Sequence, residues 1–327
     1  MTSRKLTHVF LVPTALMMLS ISTLAADPGT PFPASGIVSD QKAGSVLIYN
    51  FYSSSSINPA AENTRLNITN TNPTTSVFIH LFFIDGRTCS AADSFLCLSR
   101  SQTTSLLASD IDPDVMGFLV AIAINGDSLP INFNYLIGDE YIRLTGGHLA
   151  NLGAEAISAI DLSTLSVTAE ATTTVNFDNV QYNALPRTLA VDSLASVRDG
   201  NDTILVINRI GGSMLSSVAS IGGVFGIMFD DQEIGRSYSF SSGSCQFKSS
   251  YSDSFPRTIP RFSSVIPAGG TGWTKFWATS DNALLGAVIN RSNSGGAASF
   301  TGGHNLHKLT YTTAGSFEIP VFTASCN

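Results

Sequence analysis

The residues of this chain with chemical reach are few and widely spaced. The tetrapeptide TGGH occurs at 145–148 and again at 301–304, where another histidine follows three residues on; His148, or His304 with His307, are candidate metal ligands. A zinc-type site needs three or four donors. Residues three apart share a helix face but not a strand face, the stretch around 304 reads as strand, and no nearby cluster of acids or cysteines completes a site. The plainer expectation is structural: two adjacent glycines permit a tight reversal just after a strand, at the same point in both copies.

Two other stretches carry potential binding chemistry. DIDPD (110–114) sets Asp110, Asp112 and Asp114 at alternate positions of a loop, which is how calcium sites begin. An EF-type loop would need glycine at its sixth position, and Val115 stands there, so a solvated turn is the default and calcium is the only cofactor suggested. WTKFW (273–277) would place Trp273, Lys275 and Trp277 on one face of a strand, with the indoles about 13 Å apart. Turned outward, flat indoles beside a lysine could stack on sugar rings; turned inward they are core, the usual place for large aromatics. The segment 237–257, with Tyr238 and Tyr251, mixes aromatics with Ser and Gly as binding loops do.

Catalytic signatures are missing. No GxSxG, HExxH, GxxxxGK[ST] or GxGxxG motif occurs. A carboxylate pair for sugar hydrolysis would meet only in the fold, so a hydrolase with an unmarked site is a third possibility behind two binding roles.

These residues depend on a β-rich scaffold. At the N-terminus, Arg4 and Lys5 precede the apolar run 9–19 and small residues at Ala25 and Ala26, the pattern of a signal peptide cut after residue 25. Its loss moves the formal charge from −7 to −9, and no cluster of Lys and Arg invites nucleic acid. No apolar run reaches the length of a transmembrane segment. Charged residues make up 13% of the chain against about 25% in typical domains, so Ser, Thr, Asn and Gly supply the surface polarity. The expected location is secreted, either periplasmic or extracellular at the cell surface.

Matched blocks recur along the chain. TRLNIT (64–69) faces TILVIN (203–208) at an offset of 139, VFIHLFFID (77–85) faces VFGIMFDD (224–231) at 147, GFLVAIA (117–123) faces GWTKFWA (272–278) at 155, and the two TGGH copies stand 156 apart. Offsets that rise in one direction indicate a duplicated unit whose second copy gained loops, at 211–223 and within 237–262. The blocks alternate or run apolar over strand lengths, with turn signals between them. The expected fold is therefore all-β: two tandem antiparallel β-sandwich domains from an internal duplication, 26–185 and 186–327. One short connecting helix is expected at 148–160, where Leu149, Leu152, Ala156 and Ile160 fall at helical spacing. Of the four cysteines, Cys89 and Cys97 lie in the first half and Cys245 and Cys326 in the second, favouring one disulfide per half.

NTRLNITNTNPTTSVFIHLFFIDGRTCSAADSFLCL (63–98), continuing to about 160, resembles a group of uncharacterised secreted bacterial proteins. The resemblance implies export and a shared fold, and it brings no catalytic residues. The expected function is a non-catalytic, exported structural or interaction protein of adhesion type, with a protein or glycan surface as partner. The alternative is a carbohydrate-binding protein that uses the aromatic strand face and loop of the second half.

Overall fold

Apolar alternation becomes short, mostly antiparallel strands throughout the computed structural model, which describes residues 36–292 and 300–325. The expected signal peptide (1–25) and Cys326 lie outside the described residues. The first half contributes β1 (Val46–Ser53), β2 (Asn63–Asn70), β3 (Val77–Asp85), β4 (Ala91–Leu98), β5 (Thr103–Leu107), the four-residue α1 (Ala108–Ile111), β6 (Met116–Ile124), β7 (Leu136–Arg143), β8 (Leu149–Gly153), β9 (Glu155–Ile157) and β10 (Thr172–Phe177). The second contributes β11 (Leu185–Ala195), β12 (Asp202–Arg209), β13 (Gly212–Ser213), β14 (Ser217–Val218), β15 (Gly222–Asp230), β16 (Gly235–Ser242), β17 (Gln246–Ser250), α2 (Phe262–Val265), β18 (Thr271–Ala278), β19 (Leu284–Ser292), β20 (Phe300–Asn305), β21 (His307–Thr312) and β22 (Gly315–Pro320). No helix among the described residues is long and apolar enough to cross a membrane.

The strands form five small sheets. Sheet I runs β4-β3-β6-β1-β9, sheet II β5-β2-β7-β8, sheet III β17-β12-β19-β20, sheet IV β16-β15-β18-β11-β21 and sheet V β10-β22-β13-β14. Sheets I and IV have the same strand order once each half is counted from its own first strand and the hairpin β13–β14 is left out of the count, and so do sheets II and III. The additional hairpin β13–β14 falls inside 211–223, the first stretch read from the sequence as a loop gained by the second half.

Apolar clusters join the sheets face to face in the order V, I, II, III, IV. One shares Phe118, Val120 and Ile122 of sheet I with Val175, Phe317 and Ile319 of sheet V. A second shares Leu47 and Leu119 of sheet I with Leu66 and Ile68 of sheet II. A third lies between Ile142 and Leu152 of sheet II and Val206 and Ile289 of sheet III, and a fourth between Leu205 of sheet III and Val224 and Phe276 of sheet IV.

The expectation of two tandem sandwich domains is thereby corrected to a five-bladed, propeller-like arrangement of small sheets. Its blades are not sequential meanders, because each takes strands from separated parts of the chain. Alternation marks a strand but does not count the layers covering it. β1 is buried at all eight positions because both of its faces are covered, and sheet V takes β10 from the first half and its other three strands from the second.

Two finer expectations are also corrected. The stretch 148–160 holds β8 and β9 in place of a helix. Ala150 and Leu152 are buried while Leu149 and Asn151 are exposed, so a period of two overrides the helical spacing. The expected disulfide within each half gives way to Cys89–Cys245, which joins the halves across 156 residues with 5.6 Å between Cα atoms. Cys89 sits in the turn after β3 and Cys245 between β16 and β17, and the Val218 N–H donates to the Cys89 carbonyl at 2.9 Å. Tertiary adjacency has selected the partner in place of the nearby Cys97, itself disulfide-bonded.

A buried amide cluster completes the joint. Asn50 Nδ2 donates to Asn305 Oδ1 at 2.8 Å, Asn208 Nδ2 to the Asn50 carbonyl at 2.8 Å, and Gln246 Nε2 to Asn208 Oδ1 at 2.9 Å. Such groups are costly to bury without partners, so their mutual satisfaction fixes how sheet I meets sheet III.

Candidate functional site

The face of sheet IV turned away from its core carries a row of aromatic side chains. In β18, Thr274, Phe276 and Ala278 are buried, whereas Trp273 is 36% exposed and Lys275 and Trp277 are half-buried on the opposite face. β15 follows the same alternation: Val224 and Met228 point inward, and Phe225, Ile227 and Phe229 share the outward face. Antiparallel register sets Phe225 opposite Trp277, Ile227 opposite Lys275 and Phe229 opposite Trp273. The Phe229 and Trp273 rings stack with centroids 4.7 Å apart and planes 13° apart, and the Phe225 and Trp277 rings lie 5.2 Å apart. Two aromatic pairs thus stand about 13 Å apart along the strand with Lys275 between them. Exposed Ser237 and Ser239 lie beside them, opposite Ile227 and Phe225.

Large aromatics are core by default; here alternation sends them outward because Thr274 and Phe276 take the inner face. The remainder of the aromatic reading is corrected. Tyr238 and Tyr251 are buried, not in a surface loop, and the Tyr238 hydroxyl lies 3.0 Å from Thr274 Oγ1. Burial pushes the Tyr238 phenol up to about 12. Phe255 packs on both tyrosines, so the aromatic part of 237–257 fills the core between sheets III and IV.

The acidic triplet is tied to local partners. Asp112 accepts the Tyr52 hydroxyl at 2.6 Å, Asp114 accepts the Ser56 N–H at 2.7 Å, and Asp110 belongs to α1. Their carboxylates do not form a convergent group of ligand atoms; the group that does, among the described residues, is Asp192, His304 and His307. The sequence hinted at the two histidines but not at Asp192, more than a hundred residues upstream.

The two TGGH segments are not structurally equivalent, which corrects their reading as matching turns. The first lies in the turn between β7 and β8, where Gly147 has φ +81° and His148 Nε2 lies 3.1 Å from Asp202 Oδ2 of the second half. The second lies inside β20, where a Cβ on Gly303 would meet the Val288 carbonyl at 2.5 Å and Ala150 at 3.0 Å. There glycine permits β20 to approach β8 closely.

A cleft of about 750 Å³ lies where sheets II and III meet, lined by Arg65, Tyr141, Arg143, Asn151 and Thr301 among others. No carboxylate lines it. The Arg65 guanidinium sits 4.5 Å above the Tyr141 ring, and Arg143 donates to the Ala60 carbonyl at 2.7 Å, so its two cations already have partners. The paired acids of a glycosidase are not assembled in this cleft. No family model and no curated protein matches the chain.

Proposed function

We propose that the protein is an exported, non-catalytic binding module of adhesion type that holds carbohydrate on the outward face of sheet IV. The observation that carries this reading is the outward orientation of Trp273 and Trp277, with Lys275 between them and the Ser-rich strand β16 alongside. Sugar rings present apolar C–H faces to flat aromatics and hydroxyls to small polar side chains and cations. A surface of this composition meets both needs, and aromatic rings contribute area at little entropic cost. Export is supported by the signal-like N-terminus, by a disulfide of the kind that persists in oxidising compartments, and by the resemblance of residues 63–160 to secreted bacterial proteins.

The test is a glycan-array screen of the disulfide-intact protein, repeated with Trp273→Ala and Trp277→Ala. The expected result is binding to a restricted set of glycans, weakened at least about tenfold by each substitution, as for aromatic hot spots. No binding to any glycan, or binding indifferent to both substitutions, would remove carbohydrate as the ligand.

A further inference from the structure

At the rim of the same sheet, three side chains from three strands converge. Asp192 lies on β11, His304 near the end of β20 and His307 at the start of β21. His304 Nε2 is 3.2 Å from Asp192 Oδ1, His307 Nε2 is 3.3 Å from Asp192 Oδ2, and the three ligand atoms all lie within 4.8 Å of one another. The backbone builds this meeting in two ways. A bulge in β11 between Val191 and Leu194 turns Asp192 and Ser193 to solvent. Leu306, buried between β20 and β21, breaks the strand, so residues 304 and 307 no longer follow strand alternation and both reach one carboxylate.

The contacts at His304 constrain its tautomer. Its Nδ1 is 3.0 Å from the carbonyl oxygen of Asn305. A carbonyl can only accept, so Nδ1 carries the hydrogen, and in a neutral imidazole Nε2 is then a bare lone pair. Nε2 faces a carboxylate oxygen 3.2 Å away, a contact that either a second ring proton or a metal ion bound to both groups would satisfy. A ring nitrogen donating to a backbone carbonyl while the other faces outward is the arrangement that fixes a metal-binding imidazole.

Distances fit the same reading. Adjacent donors of a tetrahedral ion are separated by about 1.6 times the bond length, which for bonds of about 2.0–2.1 Å gives about 3.3 Å. The two observed His–Asp separations are of this size, each to a different oxygen of Asp192, and with one ligand atom per residue the three lie within 4.8 Å of one another. Two imidazoles with one carboxylate suit zinc and its late-transition neighbours, whereas calcium and magnesium prefer all-oxygen shells. Side chains 37%, 55% and 55% exposed leave room for water or an external ligand at the fourth position.

We infer that Asp192, His304 and His307 form a binding site for a divalent transition-metal ion of the zinc class, with one coordination position open to solvent. The site stands independently of carbohydrate binding, although the register Val191–Thr274 and Leu194–Gly272 places Asp192 beside Trp273 on the neighbouring strand.

The test uses the disulfide-intact protein purified without a histidine tag. Zinc is titrated by calorimetry, and cobalt(II) is followed by visible absorption as a report of coordination geometry. The expected result is one ion per chain, cobalt bands of tetrahedral intensity, and at least about tenfold weaker zinc binding in each of His304→Ala, His307→Ala and Asp192→Asn. All three side chains are partly exposed, and unchanged thermal melts would show that the variants remain folded. No binding with zinc in excess would overturn the site and leave a proton shared between the groups as the cation. Binding unchanged in the His304→Ala/His307→Ala double variant would overturn it equally.

Discussion

Sheets I and IV share one strand order but differ in what covers their outer faces. On sheet I, register pairs His80 with Ile122, Phe82 with Val120 and Ile84 with Phe118; on sheet IV the corresponding pairs are Phe225 with Trp277, Ile227 with Lys275 and Phe229 with Trp273. In the first set Phe82, Ile84, Phe118, Val120 and Ile122 are buried beneath sheet V, and the second set is left partly open. The same holds at the sheet edges. Asn50 and Asp192 occupy the equivalent bulges of β1 and β11, and Glu155 and His307 the equivalent positions of β9 and β21. Asn50 and Glu155 are buried at the joint between halves, the latter 2.7 Å from Lys308 Nζ, while Asp192 and His307 face solvent and each other. One backbone slot thus serves cohesion where it is covered and binding where it is not. A covered polar group must be satisfied within the protein, whereas an uncovered one remains available to a ligand.

The sharpest way to break this comparison is to truncate equivalent aromatics. Phe118→Ala should cost about 3–5 kcal/mol in urea unfolding, since it leaves a cavity between sheets V and I. A loss below about 1 kcal/mol would mean that sheet V does not seal that face.

Removing the link between halves comes next. Cys89→Ser with Cys245→Ser should destabilise by about 2–5 kcal/mol, because a 156-residue loop is no longer closed in the unfolded chain. Unchanged urea midpoints for the variant and the wild type would show that the joint rests on the amide cluster and apolar contacts alone.

The buried carboxylate at the joint sets a pH dependence. Burial pushes Glu155 up to about 7, with Lys308 pulling it partly back. Against an unfolded value of about 4.3 the folded state holds the proton more tightly. This contribution to stability is fully present below about pH 4.3 and is lost as pH rises through 7, on the order of 3 kcal/mol. Chemical unfolding at pH 5 and pH 8 should therefore show a decline that Glu155→Gln flattens; an identical slope in the variant would remove Glu155 as its source.

The smallest expected effect falls on the open face. Trp273→Ala should change stability by less than about 1 kcal/mol, since its ring is partly exposed and loses mainly its stacking on Phe229. A loss as large as that of Phe118→Ala would show the two faces to be equally structural.

Much of the strand inventory was legible in advance. TRLNIT and TILVIN fall in β2 and β12, GFLVAIA and GWTKFWA in β6 and β18, and the rising offsets located the added hairpin. The binding residues were legible only by type. WTKFW showed which side chains share a face but not whether that face is inward. Tyr238 and Tyr251 looked like loop residues because Ser and Gly surround them, yet their rings complete a core assembled from two sheets. His304 and His307 were passed over on strand periodicity, which Leu306 interrupts.

By itself the sequence determined what local sterics and solvation control: an all-strand chain, a repeated order of apolar blocks, low charge, and alternation that sorts side chains into two faces. Tertiary structure alone decided which face is covered, which cysteine meets which, and which distant carboxylate stands before two histidines. Those outcomes depend on contacts between segments far apart in the chain. No local pattern encodes them, since the same alternating strand satisfies its own backbone whether another sheet or only water lies against it.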